Sequence, residues 1–134
     1  MAVKISASVK NGMLNAIETA IGTTAVLKLR TGAAPAAITD ADSGDVVCTI
    51  TLPEDWMAAA NAGAKAKEGT WTEATADADG TVAHFRIYAS DGTTQHIQGT
   101  VTATGDGGDL TLDNVVIAQD QAVTINTFTL TAGN

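Results

Sequence analysis

Two histidines, His84 and His96, lie on the two arms of a predicted hairpin, close enough along the chain to suggest a pair of metal ligands across a strand ladder. A structural zinc site needs four ligands and a catalytic one three plus water, and no His/Cys/Asp spacing nearby completes either set. The two are therefore read as surface or hairpin-stabilising histidines. Arg86 shares the phase of His84 along its strand and reads as a solvated or interface cation, not a catalytic clamp.

Two acidic runs, Asp40-Ala-Asp42-Ser-Gly-Asp45 and Asp77-Ala-Asp79-Gly80, open like calcium loops. An EF-hand loop closes with a bidentate Glu at its twelfth position, and counting from Asp40 that position holds Thr51, so the EF-hand reading fails. Ordinary Asx-turns are expected, with a loose calcium site shared between loops as the alternative. Ser6, Ser8, Ser43 and Ser90 occupy no nucleophile-elbow context. With 15 acidic residues a carboxylate pair for glycoside hydrolysis can always be drawn, but a chain with 4% aromatics has little with which to line a sugar cleft. The expectation is no catalytic, cofactor-binding or metal site, and no enzyme.

Cys48 alternates with Val46, Ile50 and Leu52, so the lone cysteine reads as a small buried hydrophobe that forms no intrachain disulfide. Trp56 and Trp71 read as core anchors by size. Trp56, beside a Gly/Ala/Lys-rich stretch, carries the alternative of plugging a neighbouring subunit.

The elements that hold these residues follow from periodicity. Val9, Met13, Ala16, Ile17, Ala20 and Ile21 fall along one side of a helix predicted from about Lys10 to Ile21, capped by Ser8 or Asn11 and ended by Gly22. From Thr24 the period becomes two, with Ala25, Leu27 and Leu29 facing in and Lys28 and Arg30 facing water. Thr31 to Asp45 reads as a long loop, Asp45 to Leu52 as a strand stopped by Pro53, and Trp56 to Ala62 as a short helical turn. Gly63 to Gly69, with Lys65 and Lys67, reads as an arm that orders on contact. Trp71 lies in a short strand before an acidic loop from Glu73 to Gly80.

Beyond that loop, Val82 to Tyr88 turns at Asp91-Gly92 into Gln95 to Thr102. Leu110 to Leu112 and Ala122 to Thr131 follow, the last with a bulge or twist expected near Asn126-Thr127 because its apolar phase switches there. Seven or eight strands with regular turns predict an all-β fold, a β-sandwich with one N-terminal α-helix. One domain is expected over residues 1–134, with an N-terminal arm and helix over 1–22 and the sandwich over 23–134.

Charge and composition narrow the partners. A net charge of −8, with seven Lys and Arg scattered among the acids, gives no means of neutralising a phosphate backbone, so neither nucleic acid nor an anionic membrane is expected. No apolar run has the length of a membrane span, and the opening Met-Ala-Val-Lys-Ile lacks a signal-peptide core, so synthesis in a cytoplasm is expected. Much of the 45% hydrophobic share is Ala, which predicts a thin core completed by partners or filled by alanine.

Several blocks carry a resemblance: Gly69-Thr70-Trp71-Thr72-Glu73-Ala74, Phe85 to Thr93, His96-Ile97-Gln98-Gly99-Thr100-Val101, Gly108 to Asn114 and Phe128-Thr129-Leu130-Thr131, with Met13-Leu14-Asn15-Ala16-Ile17 before them. In these the chain resembles a family of small virion proteins found beside the head genes of tailed bacteriophages. The resemblance implies a capsid decoration, or cement, protein with a jelly-roll-like sandwich on the capsid exterior of the virion. It implies binding to the major capsid protein as a homo-oligomer, dimer or trimer, with no cofactor. Contacts are expected at strand edges, Met1 to Ser8 and Met57 to Lys67. The alternative is a tail or fibre adhesion module that binds a host-surface glycan or protein, for which Trp56, Trp71 and Tyr88 are the aromatic candidates.

Overall fold

The computed structural model describes residues 3–133, so Met1 and Ala2 of the expected contact arm lie outside the described residues. Helix α1 spans Ala7–Ile21, one turn longer than predicted, because Ser6 caps it: its Oγ accepts the Val9 N–H at 3.3 Å. Gly22 ends it with φ 93°, its N–H donating to the Glu18 carbonyl. The buried face differs from the expected stripe. Leu14 and Ile21 are buried, whereas Val9 and Met13 are 54% and 52% exposed. The helix is rotated because Asn11, Asn15 and Glu18 face the chain beneath it and bond to that segment.

Ten strands follow among the described residues: β1 (Val26–Thr31), β2 (Val46–Thr51), β3 (Ala64–Ala66), β4 (Trp71–Glu73), β5 (Gly80–Tyr88), β6 (Gln95–Ala103), β7 (Leu110–Leu112), β8 (Val116–Ile117), β9 (Val123–Ile125) and β10 (Thr129–Thr131). The molecule is β-rich with one N-terminal helix, as expected. Its main sheet has the order β2-β1-β5-β6-β7, with β8 added at the start of β5. Its pairs are antiparallel except β6–β7. Two ribbons, β3–β10 and β4–β9, complete the structure. The expected single last strand is two strands: after Ile125 the chain leaves β4 and pairs with β3, and Phe128 between them turns into the core.

Alternation explains the core. Leu27, Leu29, Phe85 and Ile87 project from one face of the sheet and are buried beside Cys48, Ile50 and Val101. The ribbons supply Trp71, Val123 and Ile125, and the link between β9 and β10 supplies Phe128. Phe85 meets Phe128 edge-on with ring centroids 5.6 Å apart, Phe128 lies 5.5 Å from Trp71, and Trp71 lies 6.2 Å from Trp56. Each such aromatic pair adds roughly 0.5–1.5 kcal/mol beyond its burial. Four of these rings thus form one continuous seam from sheet to ribbons. Two alanines, Ala25 and Ala76, belong to this buried cluster. Trp56 is fully buried in its own core, with Nε1 donating to the Gly22 carbonyl at 2.9 Å, which removes it as a plug for a neighbour.

The 57–67 segment also departs from expectation. It forms no helical turn, and it is not a free arm: Ala64–Ala66 pairs with β10, and bridges join Met57 to Lys67 and Asn61 to Ala64. Lys65 is buried, so its ammonium must be satisfied, and three acceptors meet its three protons: Glu18 Oε2 at 2.9 Å, Asn15 Oδ1 at 3.0 Å and the Ala58 carbonyl at 2.9 Å. The helix clamps this segment in place.

Candidate functional site

The second face of the main sheet carries Lys28, Arg30, His84 and Arg86. Register places Arg30 opposite His84, Lys28 opposite Arg86 and Val26 opposite Tyr88, while Arg86 faces Gln98 on the far side. This face is not wet. The loop 32–44 folds over it and is closed at its neck by the Thr31 N–H to the Asp45 carbonyl at 3.0 Å and the Asp45 N–H to Thr31 Oγ1 at 2.9 Å. Gly44 is required there, since its φ is 69° and a Cβ would stand 1.9 Å from the Thr31 carbonyl oxygen.

Arg86 is the hub. It is fully buried, and its five N–H donors all have acceptors. Nε donates to Gln98 Oε1 at 3.0 Å, Nη1 to the Asp40 carbonyl and Asp42 Oδ1, both at 2.9 Å, and Nη2 to the Ala37 carbonyl at 3.2 Å and Gln98 Oε1 at 2.9 Å. Gln98 Nε2 donates in turn to the Pro35 carbonyl. Asp42 also accepts Arg30 Nη2 at 2.9 Å and the Tyr88 hydroxyl at 2.7 Å. One carboxylate thus answers two guanidiniums and a phenol.

The electrostatics follow from that crowding. Burial works to raise the Asp42 carboxyl, but the Tyr88 hydrogen bond and the charges of Arg30 and Arg86 outweigh it and hold the group below its ordinary value. Burial pushes the Tyr88 hydroxyl up, and its bond to Asp42 acts the same way. His84 Nδ1 lies 2.7 Å from the Gly32 carbonyl, which can only accept, so Nδ1 carries the proton. Its Nε2 is buried and has no partner among the described residues.

Arg86 is thereby corrected from a solvated cation to a buried structural one, and His84 from a surface residue to a core one. The two histidines do not meet. His84 pairs with Thr100, four positions along β6 from His96, or about 13 Å at the rise of a strand, and His96 is exposed. The acids of the two runs are dispersed: Asp40 Oδ2 accepts the Ala37 N–H, Asp77 accepts Thr49 Oγ1 and Asp79 accepts the Gln119 N–H. Among the described residues no group of three or more His, Cys, Asp and Glu is placed to hold a metal ion. Ser6 serves as the helix cap, and Ser43 Oγ donates to the Ala33 carbonyl. Burial, followed by the charges of Asp77 and Glu73, pushes the Cys48 thiol up to about 12.

An open groove of about 500 Å³ lies between the end of α1 and residues 54–59 and is lined in part by Glu18, Glu54, Asp55 and Lys65. Its lysine is the saturated one described above. The legible sign of the polar network was the period-two series His84, Arg86, Tyr88 beside a loop carrying Asp42. It is the series of a covered face, and only the loop's path shows what covers it.

Comparison with protein-family models, curated proteins and solved structures finds no match for this chain. No helix among the described residues is long and apolar enough to cross a membrane.

Proposed function

We propose that this chain is a capsid decoration protein that binds the outside of a tailed-bacteriophage head and bridges adjacent subunits of the major capsid protein. In this reading the main sheet and the two ribbons make a jelly-roll-like sandwich whose product is a surface. The observation that carries it is the saturation of Arg86: the residues best equipped for chemistry bond to one another and to loop carbonyls, which leaves a scaffold and its exterior. The placement on a phage head rests on the resemblance in the Trp71, Phe85 to Thr93 and Phe128 to Thr131 blocks.

The work done there is mechanical. Packaged DNA pushes the shell outward, and a clamp across a seam raises the free energy needed to part its sides. Individually weak contacts act together through many copies. The net charge of −8 keeps the free protein dispersed and steers it toward basic capsid patches.

The alternative of a tail or fibre adhesion module is weakened by burial. Trp56, Trp71 and Tyr88, the rings it would offer to a sugar, are all fully buried. Co-sedimentation of the purified chain with phage heads lacking it, run beside binding to bacterial envelopes, separates the two. The decoration reading expects saturable binding to heads alone, and binding to envelopes alone sinks it.

A further inference from the structure

We propose that the outer edge of β10 is an acceptor for the segment Val3–Ser6 of a second copy of this chain, so that copies join by exchanging N-terminal arms. The register of the β3–β10 ribbon fixes which way its backbone groups point. The Lys67 N–H donates to the Phe128 carbonyl and the Ala132 N–H to the Gly63 carbonyl, so residues 128, 130 and 132 bond toward β3. The N–H and C=O groups of Thr129 and Thr131 therefore point away from it, and β3 is the strand partner of β10 among the described residues. Both threonines are exposed. An unpaired edge of this kind is a template for another strand.

The edge borders a groove of about 390 Å³ that runs between β10 and β6. Phe85, Ile97, Phe128 and Leu130 give it an apolar lining, and Asp109 brings a carboxylate to it. An open edge beside an apolar groove with a carboxylate on its border is an arrangement that suits an extended chain: backbone bonds supply attachment and the groove reads side chains of one phase.

The chain itself carries a segment of that pattern. Val3-Lys4-Ile5-Ser6 alternates apolar and polar residues, and residues 3–5 lie in no strand or helix. Val3 is 75% exposed, and Lys4 is exposed and forms no ion pair among the described residues. Val3 suits the apolar lining beside Ile97 and Leu130, and the opposite phase brings Lys4 to the border that carries Asp109, on a molecule whose net charge is −8. Four residues span about 13 Å, enough to cover β10. Donor and acceptor are different surfaces, so the contact is head-to-tail and closes into a ring or a reciprocal pair.

This inference needs no phage head, and its failure leaves the decoration reading standing. The test separates donor from acceptor. Deleting Met1 to Ile5 keeps the Ser6 cap and leaves a chain with the edge but no arm. Thr131→Pro removes an outward N–H without touching a bond to β3, leaving a chain with the arm but a spoiled edge. Sedimentation should show the full chain associating, each variant alone monomeric, and the two mixed forming a 1:1 complex. In that mixture the amide shifts of the arm-deleted partner should move at Thr129, Thr131 and Ile97. A full chain that stays monomeric at high concentration, an arm-deleted chain that assembles as well as the parent, or a mixture that forms no complex overturns it.

Discussion

The Asp42 carboxylate lies 2.9 Å from the Arg86 guanidinium, joining a loop to the middle of a strand 44 positions away. The same carboxylate holds Arg30 and Tyr88, so one acid ties the covering loop to three side chains of the charged face.

Asp42→Asn keeps the shape of that side chain and removes its charge, leaving Arg30 and Arg86 buried without a counter-ion. Fully buried pairs lose roughly 3–5 kcal/mol when broken so. The carboxylate here is 38% exposed, so a loss of about 2 kcal/mol is expected. Chemical denaturation should show that loss, together with faster proteolysis within residues 32–45. A change below about 0.5 kcal/mol, the scale of an ordinary surface substitution, would contradict the assignment of the network.

The pH dependence has a defined sign. Because the Asp42 carboxyl in the folded chain lies below its ordinary value of 3.8, its contribution is present above that value and is lost as pH falls through the lower folded one. The stability gap between the parent and Asp42→Asn should be flat near neutrality and narrow below about pH 4. A gap that opened on acidification would reverse the argument.

Cys48 should be inert. With its thiol pushed up to about 12 by burial between β1 and the acidic loop, thiol reagents at pH 8 should label it only through unfolding. The labelling rate in native buffer should follow global stability, falling in stabilising conditions and rising with denaturant. Rapid stoichiometric labelling of the folded chain would show the site to be open.

Ser6 and Ser8 offer a local comparison. Ser6→Ala removes the acceptor for the Val9 N–H and should cost about 1 kcal/mol, while Ser8→Ala, in the first turn of the helix and exposed, should cost little or nothing. Thermal melts of the two variants check this directly. The reverse order would restore the later helix start that periodicity alone suggested.

These cases show where sequence reasoning reached and where it stopped. Leu27, Leu29, Cys48 and Ile50 were legible because a strand alternates and one face must be dry. The helix was legible in extent but not in orientation, since Leu14 is buried in place of Val9 and Met13 through polar bonds from Asn11, Asn15 and Glu18 that a hydrophobic stripe does not record. The charged face read as wet because nothing local announces that a loop thirteen residues long will return over it. Gly63 to Gly69 looked like an arm by composition, and long-range pairing of Ala64–Ala66 with β10 ordered it. Local periodicity carries no information on such partners.

The central claim is a passive place on the outside of a phage head. A reconstruction of the mature particle, with density for this chain sought on the shell, tests it most directly. The account predicts repeated copies seated across capsid-subunit seams, with the exterior of this fold in contact and its charged face still closed by the 32–44 loop. Finished particles that lack the chain, or carry it only at the tail tip, would contradict it.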